Sequence, residues 1–271
     1  MKKLLIFIAT ITTISSCSND IDKEITTDVQ VEANEIFEIS LAIEESLRFA
    51  LYSFDDFKNN GSTSILGCPL IEVSEEDMNV KLTFVAIETE NCTTKKIERT
   101  GFIKLSYAGL ESDNGLVALE YDDYKVRGKR LEGKRTFEEV VGLGNTRRIS
   151  ESFEDLVITD EDDNTSKVDG NYQYQVQYLN DSISTISSSG NLIGRNKTGR
   201  TIKMQQTSPR VYRKECLNEG IVIASSGIET WEISRTPSQS VAHTLTFSQG
   251  EACQSTASIR LNDGRVLNFN P

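Results

Sequence analysis

The sequence predicts a mostly β protein: an antiparallel β-meander, sandwich-like and in two halves, preceded by one N-terminal amphipathic α-helix. Three observations carry that prediction. Apolar and polar residues alternate over long stretches, without a fault in Asn171-Tyr172-Gln173-Tyr174-Gln175-Val176-Gln177-Tyr178. Turn signals separate the alternating runs: Asp113-Asn114-Gly115, Arg127-Gly128, Glu132-Gly133, Asp169-Gly170 and Asn262-Asp263-Gly264. Helical spacing of apolar residues is confined to one early stretch, Ile36, Ile39, Ile43, Leu47, Ala50/Leu51 and Phe54. Helices do not alternate with strands, which argues against a parallel α/β sheet.

The chain opens with a leader. Lys2 and Lys3 are followed by an apolar run from Leu4 to Ile14. The run is too short for a bilayer-spanning helix, which needs about 20 residues, but it fits the hydrophobic part of a signal peptide. It ends in Ile14-Ser15-Ser16-Cys17. An aliphatic residue, two small residues and a Cys resemble the lipobox of bacterial lipoproteins. That resemblance implies a signal peptide over residues 1–16 and lipidation of Cys17, which becomes the new N-terminus. Acyl chains on Cys17 would hold the protein on the outer membrane, either surface-exposed or facing the periplasm. Losing Lys2 and Lys3 makes the mature chain two charges more acidic.

Residues 17–27 read as an acidic linker, with Asp20, Asp22 and Glu24 near its start. This tract looks like the loose export signal that sends some lipoproteins of the Bacteroidota to the cell surface. The helical segment is assigned to 28–57, with its regular core at about 29–53. Thr27 and Gln30 have capping-box spacing, and Asp55-Asp56 suits a helix C-terminus poorly, so the helix is expected to stop there. The first β half is assigned to 60–160 and includes Ile103, Leu105 and Tyr107, then Val117, Leu119 and Tyr121. The polar tract Asp160-Glu161-Asp162-Asp163-Asn164-Thr165 is read as a boundary, and the second half runs over 166–271. Leu82-Thr83-Phe84 before Cys92 is echoed by Leu245-Thr246-Phe247 before Cys253.

With Cys17 assigned to lipid, Cys68, Cys92, Cys216 and Cys253 remain. An even number in an exported chain predicts disulfides, and four Cys permit three pairings. Local pairing, Cys68 with Cys92 and Cys216 with Cys253, would staple each half. Without CxxC spacing, a zinc site is the weaker reading.

From residue 66 onward the chain resembles an uncharacterised group of β-rich lipoproteins of the Bacteroidota. The resemblance rests on Gly67-Cys68, Cys92, Arg99-x-Gly101-x-Ile103, Tyr124-Lys125-Val126-Arg127-Gly128, Gly133-x-Arg135-Thr136, Cys216 and Cys253, in that order. The group tends to carry Asp-aromatic-Gly before the late Cys and an Asp after it; here Thr246-Phe247-Ser248 and Gln254 stand instead. The resemblance implies location and fold type, and it transfers no activity.

Composition excludes several classes. A formal net charge of -12 argues against a nucleic-acid partner. One His excludes sites that need two imidazoles. GxGxxG and GxxxxGK[ST] strings are absent, and the sequence specifies no cofactor. His243 lacks any readable triad signature, so no catalytic set is assigned and the protein is expected not to be an enzyme. Asp160, Asp162 and Asn164 imitate the start of a calcium loop, but Thr165 stands at the Gly position and Asn171 at the bidentate Glu. Tyr172, Tyr174, Tyr178 and Trp231 are read as core, with an exposed sugar-stacking row as the alternative. Charge is segregated: residues 18–60 hold eleven acids and three bases, whereas 195–214 holds seven bases and no acid. The basic run is read as a solvated edge strand or a face docked on the acidic helix, with binding to anionic glycan phosphate as the alternative. The functional expectation is a lipid-anchored envelope binding or structural module. Its glycan or protein partner is not identified by the sequence. The alternatives are an assembly component docked on an outer-membrane protein and a glycan-directed hydrolase.

Overall fold

A computed structural model describes residues 19–59, 61–85, 92, 97–109, 115–140, 144–179, 182–218, 223–250 and 253–269, with side chains from Val29 onward. The expected signal peptide and Cys17 lie outside the described residues. The chain starts with helix α1 (Asn19–Glu45), followed by the short α2 (Leu47–Ala50) and α3 (Phe54–Asn59). Thirteen strands follow: β1 (Leu70–Ser74), β2 (Asn79–Phe84), β3 (Arg99–Ala108), β4 (Leu116–Val126), β5 (Lys129–Val140), β6 (Thr146–Thr159), β7 (Thr165–Leu179), β8 (Ser182–Arg195), β9 (Thr201–Arg213), β10 (Ser226–Thr236), β11 (Gln239–Gln249), β12 (Ser255–Arg260) and β13 (Val266–Phe269). One short helix, α4 (Lys214–Asn218), interrupts the β9–β10 connection.

Each strand pairs antiparallel with its sequence neighbour, so spatial order is chain order from β1 to β13. This is the predicted meander. It is one continuous sheet, and the expected break at 160–165 is only the β6–β7 turn. In that turn the Asp160 carboxylate accepts the backbone N–H groups of Asp162 and Asn164 at 3.0 and 2.9 Å. A side chain that satisfies a tight turn needs no change of domain, and the register runs on through Thr159 opposite Thr165.

The sheet curls around α1 and α2. Twelve strand spacings of about 4.8 Å would carry the last strand of a flat sheet roughly 58 Å from the first. Yet Phe49 in α2 packs on Phe84 of β2, with ring centroids at 5.4 Å, and Phe37 in α1 stacks on Phe269 of β13 at 4.5 Å. A helix about 10–12 Å wide reaches both ends of the sheet only if the sheet wraps it.

Bulges supply the bend. The β3–β4 register slips between Thr100 and Phe102, where Gly101 faces Asp123; both have positive φ, 83° and 48°. The β5–β6 and β6–β7 ladders slip beside Gly133 and Asp155. Each slip also shifts the burial phase, as in β4, where Tyr121 and Tyr124 both point inward although three residues apart.

Between slips the alternation holds, most regularly in β7. In β7, Val168, Tyr172, Tyr174 and Val176 face inward while Gln173, Gln175 and Gln177 face water. Gly170 has no side chain because the Phe153 ring occupies that space; a Cβ there would lie 2.3 Å from the ring.

The helical segment departs from expectation in three ways, each with a physical cause. α1 begins at Asn19, so the helix runs through most of the segment assigned to linker, including the capping-box spacing at Thr27. The helix is interrupted at Ser46, and Asp55-Asp56 opens a new helix, α3, instead of ending one. Ser53 and Asp56 cap that start reciprocally: Ser53 N donates to Asp56 Oδ2 at 2.8 Å and Asp56 N to Ser53 Oγ at 3.1 Å. Finally, from Glu35 to Ala50 the helical stretch is buried nearly all round, because the sheet covers more than its apolar stripe.

Candidate functional site

The inward faces of the strands bring charge to the helix. From its N-terminal end, Glu32 receives Arg200 and Arg235, with Arg235 Nη2 at 2.6 Å, and His243 Nε2 lies 3.9 Å away. Burial opposes the charged form of Glu32, but His243, Arg235 and Arg200 together hold its pKa below the usual value. Glu35 accepts from Ser166 Oγ and Lys197 N, both at 2.6 Å. There burial wins and raises the pKa, because a hydroxyl and an amide offset it only in part. Glu44 pairs with Arg210, which also bonds Ser40 and Glu229. Glu45 accepts Arg99 Nε at 2.6 Å, and burial still raises its pKa. Arg135, fully buried, pairs with Glu151 and donates to the Ile43 carbonyl and Ser46 Oγ, both at 2.7 Å.

This ladder fixes the helix within the sheet. Buried ion pairs add little net stability over apolar packing, but a misaligned helix would leave each of these charges unpaired. The basic run at 195–214 accordingly supplies Arg200, the Lys197 amide and Arg210 to α1, the docked-face reading of that segment. Trp231 is fully buried and donates Nε1 to Glu229 at 3.0 Å. Tyr172 and Tyr174 lie in the core, whereas Tyr178 is half-buried. His243 is buried, and its Nδ1 accepts the Asn262 amide at 3.3 Å.

The cysteines pair locally. Cys68 bonds Cys92 with Cα atoms 6.0 Å apart, and Cys216 bonds Cys253 at 5.3 Å. The first bridge ties the approach to β1 to the β2–β3 connection, and the second ties α4 to the β11–β12 connection. At the imitation calcium loop, Asn164 Nδ2 adds a third donor group on the Asp160 carboxylate, at 3.2 Å. Among the described residues no group of three or more His, Cys, Asp or Glu side chains is placed to hold a metal.

Among the described residues three larger concavities offer places for a ligand, and a smaller one of about 250 Å³ lies between Val31, Asn34 and the Asp160–Asp162 turn. The first, of about 650 Å³, lies on the outer face near the β8–β9 and β10–β11 turns and is lined by Arg195, Arg200, Lys203, Glu232 and Arg235. Its cations are partly committed: Arg200 and Arg235 clamp Glu32, and Arg195 donates to the Gly199 carbonyl at 2.9 Å. The second, of about 360 Å³, follows the helix seam between Phe37, Leu41 and the β4–β5 turn. Its one buried carboxylate, Glu45, is closed off by Arg99.

The third cavity, of about 390 Å³, opens at the α2 end of the curled sheet. Arg48, Leu51, Tyr52 and Asp56 come from the helical segment, Arg147 from β6, Tyr178 from β7, Ile183 from β8, and Lys214 and Leu217 from α4. Three cations face one carboxylate, in a protein whose overall balance is strongly acidic. Arg147 donates Nη1 to the Tyr178 hydroxyl at 3.0 Å and is held by Glu139 through Nε at 2.7 Å. Arg48 donates to the Leu217 carbonyl, and Asp56 is committed to Ser53. Of this set, sequence reasoning raises only Tyr178 and the basic run that ends at Lys214 as candidate ligand contacts; Leu51 and Asp56 read as helix positions. Residues from five separate segments meet here, and no local spacing announces that meeting.

No protein-family model matches the chain, and comparison with curated proteins and with solved structures finds no match. The class defined by the coordinates is therefore architectural: an open antiparallel meander wrapped around its own N-terminal helix.

Proposed function

We propose that the protein is a lipid-anchored envelope binding module, held on the outer membrane through Cys17 and without catalytic activity. The observation that carries this reading is that α1 begins two residues after Cys17 and continues into the centre of the sheet. A lipid on Cys17 would thus be joined by a rigid rod to the core of the fold. At 1.5 Å per residue, the 27 residues of α1 span roughly 40 Å. The third cavity is lined by residues that follow the C-terminal end of that rod, from Arg48 to Asp56. The lipobox-like Ile14–Cys17 and the resemblance to β-rich lipoproteins of the Bacteroidota support the same reading.

One feature favours binding over hydrolysis and another favours it over docking. Of the buried carboxylates, Glu32, Glu44, Glu45, Glu151 and Glu229 are each engaged by an arginine, and Glu35 by the Ser166 hydroxyl and the Lys197 amide. A glycosidase instead needs two free carboxyl groups across a cleft. Docking on an outer-membrane protein would call for a contiguous apolar patch, whereas the exposed large apolar residues are spread over Val31, Leu70, Val85, Leu179, Ile193, Ile228 and Val266.

The test is metabolic labelling with an alkyne fatty acid in the native host, followed by protease shaving of intact and lysed cells. Label on the wild type and none on Cys17→Ala is the expected result. Label that persists on Cys17→Ala rejects the anchor. Cleavage of intact cells assigns the cavity to the outside, and protection until lysis assigns it to the periplasm.

A further inference from the structure

We propose that the cavity at the α2 end binds an acidic monosaccharide unit, a pyranose ring bearing a carboxylate. The inference rests on the binding-module reading and names the ligand class for it.

Three properties of the cavity point to this ligand. Its volume, about 390 Å³, lies near the bottom of the range for ligand sites, ~300–1,000 Å³, which suits one ring better than an extended chain. Its lining is net positive: Arg48, Arg147 and Lys214 face Asp56. With Arg48 on the Leu217 carbonyl, Arg147 paired to Glu139 and Asp56 held by both Ser53 donors at 2.8 Å, Lys214 is the cation of the three left uncommitted. Among the described residues Lys214 has no hydrogen-bond or ion-pair partner, so its ammonium is available to a carboxylate.

The walls supply the rest. Tyr52 and Tyr178 are half-buried and present ring surface beside Leu51 and Ile183, the kind of surface on which the C–H face of a pyranose packs. Arg147 lies 5.9 Å from the Tyr178 ring centroid and hydrogen-bonds its hydroxyl, which fixes that ring. Ser64 and Ser182 add hydroxyls to the lining for ring hydroxyl groups. The outer-face cleft is also basic but has no aromatic wall, and two of its arginines are clamped on Glu32. The helix seam has an aromatic floor but carries Glu38 and Glu161, which would repel a carboxylate.

The experiment is isothermal titration of the full-length protein in detergent micelles with D-glucuronate, D-glucose and sulfate. Saturable binding of glucuronate is expected, at least tenfold tighter than glucose or sulfate. Glucose binding as tightly overturns the role of the cations, and sulfate binding as tightly overturns the role of the ring. No saturation by glucuronate at about 10 mM, tenfold above a Kd of ~1 mM, overturns the proposal outright.

Two variants locate the site, and both alter side chains outside the core. Lys214→Glu is expected to weaken glucuronate binding at least tenfold, and Ser182→Trp to abolish it by filling the cavity. Wild-type affinity in both variants, with unchanged thermal unfolding, means that the sugar binds elsewhere and overturns the assignment. Binding is read without reference to lipidation, so a failed titration on a protein that labels at Cys17 leaves the anchor reading standing.

Discussion

Single charged residues do more to define this interior than any apolar one. Arg210 lies among Glu44, Ser40 and Glu229, all buried. Arg210→Ala would leave two buried carboxylates without their cation, at a cost of about 3–5 kcal/mol, read as a lower urea midpoint. A loss below ~1 kcal/mol would mean that water reaches the cluster. Glu35 and Glu32 carry opposite pH signatures. The folded pKa of Glu35 is raised above its ordinary 4.5, so its contribution is most favourable below that value and is lost as pH rises through the folded pKa. Glu35→Gln keeps an acceptor for the Lys197 amide without the charge. Its stability relative to wild type should rise from pH 4 to pH 7, and an unchanged or falling difference refutes the buried charge. The folded pKa of Glu32 is lowered, so its contribution is present above 4.5 and disappears as pH falls through the folded pKa. At Gly101, φ is 83° and a Cβ would lie 2.0 Å from the Asp123 carbonyl oxygen. Gly101→Ala should therefore destabilise the bulge by more than the ~1 kcal/mol of an ordinary backbone substitution.

Helix and strands each lean on the other for their form. α1 carries too many buried carboxylates to pack on a plain apolar sheet, and the sheet carries too many inward arginines to close on an apolar rod. The helix is thus specified as the partner of this particular sheet. Native-state hydrogen exchange tests that dependence. The amides of Val29–Glu45 should exchange only through the opening that also exposes β6 and β7. Exchange of the helix at much lower free energy would show that it leaves the sheet independently. The Cys216–Cys253 bridge closes a loop of 37 residues that contains all of β10 and β11. Replacing both Cys by Ser should cost about 2–5 kcal/mol, measured by denaturant titration under oxidising conditions.

At the scale of the whole molecule, one thin sheet without a second layer is stable because the chain supplies its own filling. A meander in strict chain order makes mostly near-neighbour contacts, and α1 and α2 join strands as far apart as β2 and β13. This arrangement sets the two ends of the molecule apart. The end beside Val31 and Asn34 of α1 carries the acidic turn at Asp160–Asn164, whereas the α2 end carries the cationic cavity.

The sequence by itself determined the meander and an early helical segment, because each is written in a short period, two along strands and near 3.6 along the helix; of the three pairings open to four cysteines it favoured the local one, which the structure shows. Tyr172, Tyr174 and Trp231 took their places by alternation alone. The same alternation held a signal that passed unread. Glu151 sits between Ile149 and Phe153, and Glu229 between Gly227 and Trp231, in phase with residues that face the core. Charges in an apolar phase announce a buried partner, and here the partners lie on the adjacent strands: Arg135 for Glu151 and Arg210 for Glu229, 16 and 19 residues away. Tertiary structure alone decided that Glu32, Glu35, Glu44 and Glu45 face arginines, hydroxyls and amides instead of water. It also decided that the acidic turn at 160–165 divides nothing, and that five distant segments share one cavity. Curl is the physical reason: a sheet rolled around a helix by bulges brings together residues whose separation along the chain carries no period to read.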